Sequence, residues 1–442
     1  MMNRLQSIFR LLPIAAACIA GPALATNGYF SHGYGMKSLG MGGVSTALAQ
    51  DTLGGANNPA SMVWVGNRLD LGANVFMPKR DSERSGSPIT PINGYVDSDS
   101  TVFLVPEFGY NRMLSSDLAV GVSVYGNGGL NTDYPQGNFQ CPAPPPAPPG
   151  TFFPANILCG SGEIGVDLMQ LIIAPTVAYK LNAQHAIGAS LLLGYQRFKA
   201  KGLQAFDNPP GFPPFTGAPG YVTNNGSDSS TGVGLRVGYQ GRLTDTLTIG
   251  AAYATKMSMG EFDKYRGLFA ENGGFDIPSN FSIGVAFTPT PEVTIAADFG
   301  RIYYSDARSV NNPSQPPVAP LGAANGPGFG WQDIDVFKLG VSWRMSEAWT
   351  LRAGYNRGDN PIIPRDVTFN ILAPGVMKEH YTAGFTYALD KANEITGALM
   401  VAPRQTVTGA SFFDNLFGPG VGGTEKIGMK QTSIGLAWGR KF

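Results

Sequence analysis

Residues 337–355 read FKLGVSWRMSEAWTLRAGY, and apolar residues occupy every second position in two segments, 337–343 and 349–355. The residues between them are small or polar. Alternation with a period of two predicts β-strands that have one apolar face. Because only a few residues separate the segments, we expect them to form an antiparallel hairpin.

The same alternation recurs along the whole chain. Clear further examples begin at Leu69, Leu118, Val233, Leu247, Phe281, Val293 and Tyr381. Weaker ones lie near 102–110, 168–181, 186–199, 393–402 and 430–442. With the hairpin at 337–355 they make about fourteen strands, an even number such as bacterial outer-membrane barrels have.

The connections between these strands alternate in length. Short turns fall at Leu181–His185, Arg242–Thr246, Thr288–Glu292, Arg344–Ala348 and Leu389–Asn393. Long segments rich in Gly, Pro and polar residues fall at 81–100, 131–166, 200–228, 260–279, 306–332, 357–376 and 403–428. An up-and-down barrel with short periplasmic turns and long external loops has this organisation. The last outward-facing residue is Phe442, and a terminal Phe is typical of outer-membrane barrels.

Composition agrees with a membrane barrel. Charged residues make up only 14% of the 442 residues, and the formal net charge is zero, which argues against a nucleic-acid partner. After residue 25 no apolar run approaches the roughly 20 residues that a membrane helix needs. Only helices and closed barrels satisfy the backbone inside lipid. We therefore predict an all-β protein, a fourteen-stranded antiparallel transmembrane β-barrel with an N-terminal plug inside the lumen.

The first 25 residues have the features of a secretory signal peptide. Arg4 and Arg10 are followed by an apolar stretch, Leu11–Ala20, and by the cleavage motif Ala23-Leu24-Ala25. A lipoprotein signal with Cys18 as the modified residue is the alternative. We expect residues 26–66 to form the plug and residues 67–442 the barrel, located in the bacterial outer membrane.

Two cysteines remain after cleavage, Cys141 and Cys159, both in one predicted external loop. In an oxidising compartment such a pair favours one disulfide, with two free thiols as the alternative. Without nearby histidines they do not make a zinc site. We predict no metal, no cofactor and no catalytic residues.

The predicted inward face is mostly Gly, Ala, Ser and Thr, which leaves room for a plug. By strand parity its charged residues are Arg236, Lys338 and Arg352. Arg236 and Lys338 are candidates for holding a ligand carboxylate, because a guanidinium or ammonium group favours that partner. Contact of these cations with the plug is the alternative.

The segment before the first strand carries local motifs. It contains Ser38-Leu39-Gly40-Met41-Gly42-Gly43, then Asp51, then Asn58-Pro59-Ala60 immediately before the barrel. In these residues, in strand number and in Phe442, the chain resembles the FadL-type outer-membrane transporters of long-chain fatty acids and aromatic hydrocarbons. The resemblance implies an internal ligand site near the mature N-terminus and a plug that shifts. The plug and gate residues are Asn27, Gly28, Asn58, Pro59 and Ala60.

The resemblance also implies capture by the third and fourth long loops, which we match to 131–166 and 260–279. Their apolar residues are the candidate ligand-binding set: Phe152, Phe153, Ile157, Leu158, Phe262, Tyr265, Leu268 and Phe269. Exposed apolar clusters in external loops indicate binding. The alternative is that these loops pack on each other.

The third strand runs into Tyr125-Gly126-Asn127-Gly128-Gly129, and glycines inside a strand mark bulges and bends. The resemblance implies lateral exit of ligand at a kink here, at Gly126, Gly128 and Gly129. An ordinary strand end is the alternative.

The sequence thus favours passive transport of hydrophobic compounds, either long-chain fatty acids or aromatic or aliphatic hydrocarbons. A surface receptor or adhesin that uses the long loops is the alternative. A barrel enzyme is disfavoured because no nucleophile–base set is recognisable. The expected partners are a hydrophobic small molecule, outer-membrane lipid and lipopolysaccharide, and the barrel assembly machinery, for a protein that acts as a monomer.

Overall fold

Fourteen long antiparallel strands form the body of the protein in a computed structural model that describes residues 27–143, 146–148, 150–210 and 214–442. The predicted signal peptide lies outside the described residues. Each strand pairs with its neighbours in sequence, and the last strand pairs with the first, for example through Val75 and Ile434. The sheet is therefore closed, and the predicted barrel is confirmed.

The long strands are β1 (Arg68–Ser85), β2 (Phe103–Met113), β3 (Leu118–Tyr134), β4 (Ile164–Lys180), β5 (His185–Lys201), β6 (Asp228–Arg242), β7 (Leu247–Ala254), β8 (Asn280–Thr290), β9 (Val293–Ile302), β10 (Ile334–Arg344), β11 (Trp349–Gly358), β12 (Glu379–Ala388), β13 (Asn393–Ala410) and β14 (Thr424–Lys441). Short strands in the external loops are Gly94–Asp97, Phe139–Pro142, Phe152–Ala155 and Ser258–Met259.

The helical segments are all short. The plug contains α1 (Met36–Leu39), the 3₁₀ turns Thr52–Ala56 and Pro59–Ser61, and α2 (Met62–Val65). The external loops contain the helices Ala270–Gly273, Arg308–Asn311 and Asp414–Phe417, and the 3₁₀ turns Thr90–Ile92, Gln204–Phe206, Asp263–Tyr265, Tyr304–Asp306, Pro364–Asp366 and Phe369–Ile371. Across the described ranges no helix has both the length and the apolar character to span a bilayer.

The outward face of the barrel is an apolar surface. Large side chains that alternation predicts to point outward are exposed, among them Leu71, Leu104, Ile173, Leu191, Val233, Ile283, Leu339, Ile434 and Leu436. Exposed side chains of this kind would be costly in water but are favourable against lipid acyl chains. The alternation in the sequence therefore reports which side of each strand meets lipid.

Several strands extend further outward than the sequence predicts. The strand β13 continues to Ala410, although we expected a loop from residue 403, and β1 continues to Ser85. These extensions have polar residues on both faces, so they show no apolar alternation. Ion pairs across the ladder stabilise them, such as the one between Arg84 and Glu425, whose Nη2 and Oε1 atoms are 2.5 Å apart.

The plug, residues 27–66 of the described chain, lies inside the barrel against glycines of the inward face. A Cβ atom added at Gly238 would lie 2.0 Å from Asn58 Oδ1, and one at Gly354 would lie 2.1 Å from the backbone nitrogen of Gly42. Other inward glycines in contact with the plug are Gly109, Gly121, Gly188, Gly250, Gly284, Gly340, Gly384 and Gly435. The small inward residues thus allow close approach of the plug backbone.

The lumen contains more charged residues than Arg236, Lys338 and Arg352, the three that strand parity predicts. Lys37 of the plug, Arg68 of β1 and Glu394 of β13 form a buried cluster, with Nζ–Oε1 and Nη2–Oε1 distances of 2.6 and 2.5 Å. Asp70 accepts from Arg68 as well, at 2.6 Å. Asp298 accepts hydrogen bonds from the plug backbone at 2.8 and 3.0 Å. Strand parity alone does not indicate these carboxylates, whose partners include plug residues far from them in sequence.

Candidate functional site

The wall of the barrel is interrupted between β2 and β3. Their ladder runs from Met113 and Ala119 to Glu107 and Tyr125, and the described residues contain no further pair between these strands. The register of β3 against β4 shifts between Gly126 and Gly128. Residues 126–132 of β3 therefore lack a partner on the β2 side, and we call this opening the window.

The window is bounded on both sides by backbone contacts. Below it, toward the short turns, lies the last β2–β3 pair, Glu107 and Tyr125. Above it the backbone nitrogen of Asp99 donates to the carbonyl of Asp133 at 2.7 Å. A β-bulge leaves a few backbone groups unpaired. The regular hydrogen bonds on either side keep the rest of the strand in place, so the opening stays local.

The N-terminal segment of the plug fills the window from the inside. The backbone nitrogen of Ser31 donates to the carbonyl of Asn127 at 3.2 Å, and Phe30 forms a bridge with Gly128. A Cβ at Gly128 would lie only 1.7 Å from the carbonyl oxygen of Tyr29. Glycine is therefore required at position 128 for the N-terminal segment to reach the wall.

A second set of contacts holds the first described residues. Tyr304 Oη donates to the carbonyl of Asn27 at 2.5 Å and accepts from the backbone nitrogen of Tyr29 at 3.2 Å. Gly28 has a φ of +64°, and a Cβ there would lie 2.2 Å from Tyr304 Oη. Burial raises the pKa of Tyr304 well above its ordinary value, so the phenol stays neutral and remains a donor. Asn27 and Gly28 thus lie where the N-terminal segment is fixed.

The other end of the plug seals the side of the barrel that carries the short turns. Asn58 Nδ2 donates to the carbonyls of Thr46 and Tyr239 at 2.7 and 2.9 Å, which ties the plug to β6. Ala60, Met62 and Val63 pack against alanines of β3, β4 and β5, and the guanidinium of Arg242 stacks 3.8 Å from the ring centroid of Trp64. Asn58, Pro59 and Ala60 therefore belong to a closed, well-packed end.

Aromatic side chains of the fourth external loop form a buried cluster with Phe198 of β5. The ring centroid of Phe198 lies 5.6 Å from Phe262, 4.8 Å from Tyr265 and 4.6 Å from Phe269. Leu268 is partly buried against the same core. Burial raises the pKa of the Tyr265 phenol, which donates to the carbonyl of Gly226.

Aromatic rings continue from this cluster to the window. Phe269 and Phe275 have centroids 5.0 Å apart, and Phe275 and Tyr29 have centroids 6.1 Å apart. Tyr29 in turn stacks on Phe30 at 5.2 Å, next to the glycines of β3. Phe269, Phe275, Tyr29 and Phe30 thus form a continuous series of aromatic rings from the external loops to the N-terminal segment.

The predicted apolar residues of segment 131–166 do not form an exposed patch. Ile157 and Leu158 are fully buried, and Phe152 and Phe153 are partly buried, so this loop packs inward. The matching of this segment to the third long loop is also wrong. Residues 135–163 form the second external connection, and the third is 202–227. Sequence periodicity cannot show loop packing, because loop side chains follow no repeat.

The predicted inward cations contact protein groups. Lys338 Nζ donates to the carbonyl of Gly43 at 3.2 Å, and Arg236 Nη1 lies 3.5 Å from the carbonyl of Asn57, both in the plug. Arg352 Nη1 donates to Thr386 Oγ1 at 2.7 Å. The alternative reading of Arg236 and Lys338 as plug contacts thus agrees with the geometry.

The two cysteines of the second external loop are joined. Cys141 and Cys159 form a disulfide with a Cα–Cα distance of 5.6 Å, which closes a loop over 18 positions in sequence. The bond ties the loop hairpin formed by the strands at 139–142 and 152–155 to the buried Ile157–Leu158 segment. Within the described ranges, no group of three or more His, Cys, Asp and Glu side chains is arranged to bind a metal ion.

Comparison with known proteins identifies the family. Residues 150–408, more than half of the chain, match the model of a family described as outer membrane protein transport protein (OMPP1/FadL/TodX). This chain belongs to the OMPP1/FadL/TodX family. It is therefore an outer-membrane transport protein of bacteria and not an enzyme. No curated protein matches it.

Solved structures of other FadL/TodX-type proteins share the fold. The toluene transporter TodX of Pseudomonas putida is 19% identical, with a TM-score of 0.68, and the match covers 93% of this chain and 99% of TodX. The toluene transporter TbuX of Ralstonia pickettii is 17% identical, with a TM-score of 0.62 and the same coverage, 93% and 99%. A FadL homologue of Pseudomonas aeruginosa is 15% identical, with a TM-score of 0.65 and coverage of 94% and 100%.

Proposed function

We propose that this protein carries hydrophobic compounds passively across the outer membrane, either long-chain fatty acids or aromatic or aliphatic hydrocarbons. Ligand is captured by the external loops, binds inside near the N-terminal segment, and leaves sideways through the window. TodX and TbuX are toluene transporters by name, which supports the hydrocarbon class. The FadL homologue among the similar structures is consistent with the fatty-acid class.

The proposal rests on the position of the window relative to the end of the barrel that residues 58–65 close. A straight path into the periplasm would require displacement of residues 58–65, which are anchored to β6 and packed on three strands. A path through the window requires displacement of residues 29–31, which a bridge and a backbone hydrogen bond join to β3 and which also contact Tyr304. The lateral path therefore displaces a shorter segment of the plug.

Energetics favour the same route. An apolar ligand that leaves through the wall enters lipid directly and keeps the transfer free energy of about 25 cal/mol per Å² of apolar surface. Release into the aqueous periplasm would lose that gain. The aromatic series from Phe269 through Phe275 to Tyr29 supports an apolar approach to the window from the loop side.

Uptake by purified protein in liposomes tests the proposed function. The probes are toluene and laurate, with arabinose as a polar solute of small size. We expect protein-dependent movement of a hydrophobic probe and none of arabinose. Equal movement of arabinose would identify a general diffusion pore, and the absence of any hydrophobic transport would refute the proposal.

The substitution Tyr304→Phe should loosen the N-terminal segment while keeping the aromatic packing. It removes a donor to Asn27 and an acceptor for Tyr29, each contributing about 1 kcal/mol. Hydrogen exchange of residues 27–31 in detergent should therefore become about thirtyfold faster, as a combined loss of about 2 kcal/mol implies. The matched control is Tyr303→Phe, because Tyr303 packs on Phe281 and does not contact the segment. Unchanged exchange in Tyr304→Phe would show that these hydrogen bonds do not hold the N-terminus.

A further inference from the structure

Two buried histidines meet where the N-terminal segment of the plug contacts the wall of the barrel. His32 of the plug and His380 of β12 are both buried, and their rings stack with centroids 5.6 Å apart and an angle of 7° between the ring planes. His32 directly follows residues 29–31, which fill the window. The pair therefore lies between the segment that lateral exit displaces and a strand that stays in place.

The ring nitrogens of this pair are poorly satisfied. In the part of the chain that the structure describes, both ring nitrogens of His32 and Nε2 of His380 lack a hydrogen-bond partner. Nδ1 of His380 lies 3.0 Å from Oδ1 of Asn356 on β11. A neutral imidazole has one N–H donor, whereas an imidazolium has two donors and a full charge that has to be satisfied. These surroundings therefore suit two neutral rings and not a charged one.

The pair is at one end of a row of inward residues on four adjacent strands. In register, the row consists of Asp298 of β9, Lys338 of β10, Asn356 of β11 and His380 of β12. Asp298 accepts from the plug backbone at residues 45 and 46, and Lys338 donates to the carbonyl of Gly43. The row thus attaches the plug to the wall, and its His380 end does so through ring stacking without charge.

The charged group that faces both rings is positive. Burial, and then the charge of Lys338, lower the pKa of His32 to about 4, against a smaller opposite effect of the Leu39 backbone. Asp298 and Arg236 of β6 face Lys338 rather than the rings, and Asp298 is already bonded to the plug backbone. Among the described residues that face the pair, none is a carboxylate that would neutralise a protonated ring.

We propose that His32 and His380 form an acid-sensitive latch, which holds the N-terminal segment on the wall while both rings are neutral and releases it when a ring gains a proton. A protonated ring beside Lys338 would be a second buried positive charge without a counter-charge, so the segment moves to where water reaches the ring. Residues 58–65 are attached through an amide and apolar contacts, which do not titrate. Acid therefore frees the window and leaves the other end closed.

The direction of the pH effect follows from the two positions of the segment. While the segment is on the wall, the pKa of His32 is about 4, and once it is displaced into water the ring has its ordinary value of about 6.5. Attachment is therefore strongest above about pH 6.5 and weakens as the pH falls toward 4. Between pH 7 and pH 5 the displaced population should rise about twentyfold through His32 alone.

Hydrogen exchange of purified protein in non-ionic detergent tests the latch. Protection factors, which are corrected for the effect of pH on the chemical exchange rate, are measured for residues 27–33 at pH 7 and pH 5. The variants are His32→Phe, whose ring stacks but takes up no proton, and the same substitution combined with His380→Gln. The matched control is His185→Gln, because His185 is the third histidine of the chain and binds Tyr239 at a short turn. Heat-modifiable gel mobility checks folding.

We expect the protection of residues 27–33 in wild type to fall at least about tenfold from pH 7 to pH 5, while that of residues 58–65 stays unchanged. The fall should shrink at least about fivefold in His32→Phe and disappear in the double variant. His185→Gln should behave as wild type.

A carboxylate is the alternative source of a pH response in this segment. Glu107 of β2, for example, accepts hydrogen bonds from the backbone nitrogens of Gly35 and Met36. A fall in protection that persists in folded His32→Phe and in the folded double variant would assign the response to such a group and overturn the latch. Protection that does not depend on pH in wild type would overturn it as well.

This inference rests on the proposed function, whose exit path it makes dependent on pH, and toluene uptake in liposomes separates the two. Toluene has no titratable group, so the pH acts on the protein alone. We expect wild type to transport toluene several times faster at pH 5 than at pH 7, and the double variant to transport it equally at both. If wild type transports no toluene at either pH although its N-terminal segment loosens in acid, the proposed function fails and the latch stands. Equal uptake and equal protection at both pH values would refute the latch alone.

Discussion

Uptake of hydrophobic probes should fall at least tenfold when Gly128 is replaced by valine, which corresponds to a barrier about 1.4 kcal/mol higher. A side chain at this position projects into the window, where its Cβ meets the carbonyl of Tyr29 at 1.7 Å. Two methyl groups occupy the space that ligand has to cross, and this obstruction outweighs the loss of the bridge between Phe30 and Gly128. Transport of toluene and laurate into liposomes is the measurement.

Gly126→Ala provides a graded control. A Cβ at position 126 lies 3.1 Å from Cγ1 of Val105, a tight contact that a small movement relieves. We expect a smaller loss of uptake than in Gly128→Val and unchanged heat-modifiable mobility in both. If folded Gly128→Val transports at the wild-type rate, lateral exit is wrong here, and a straight path past Asn58, Pro59 and Ala60 becomes the better mechanism.

The substitution Glu394→Gln should loosen the plug and make the barrel permeable to polar solutes. Glu394 of β13 neutralises both Lys37 of the plug and Arg68 of β1. Removing one member of a buried ion pair costs about 3–5 kcal/mol, because a charge stays buried without its partner. Here Lys37 loses its ion-pair partner, while Arg68 keeps Asp70. We expect a lower unfolding temperature in detergent and arabinose-dependent swelling of liposomes that the wild type does not show.

The control for this substitution is Glu292→Gln at an exposed turn. Glu292 lies 3.9 Å from Arg344 with about half of each side chain exposed, and such pairs contribute at most about 1 kcal/mol. The Glu292→Gln substitution should leave the unfolding temperature and the permeability to arabinose unchanged. If the Glu394→Gln variant is as stable as this control and equally impermeable to arabinose, the buried cluster does not fix the plug.

The membrane-spanning part of the fold could be predicted because lipid imposes a repeat on the sequence. Residues 337–355 predicted a hairpin, and β10 and β11 occupy that position. The outer ends of β1 and β13 could not be predicted, because both of their faces are polar and their stability comes from partners such as Arg84 and Glu425, far apart in sequence.

The candidate site was predictable only in its backbone features. The glycines at 126, 128 and 129 indicated an irregular strand, and the register shift lies among them. The role of Tyr304 could not be inferred from the sequence. It depends on contact with a segment 277 positions away, and such a contact leaves no local pattern.

A reversible lock across the window tests lateral exit most directly. A Cβ at position 126 would lie close to Val105, so cysteines at both positions come within reach of a disulfide. The variant is Val105→Cys with Gly126→Cys in a background of Cys141→Ser and Cys159→Ser, and that background alone is the control for oxidant and reductant. Uptake of toluene and laurate is measured in the oxidised and the reduced state. We expect oxidation to abolish uptake and reduction to restore it, whereas equal uptake in both states would contradict transport through the window.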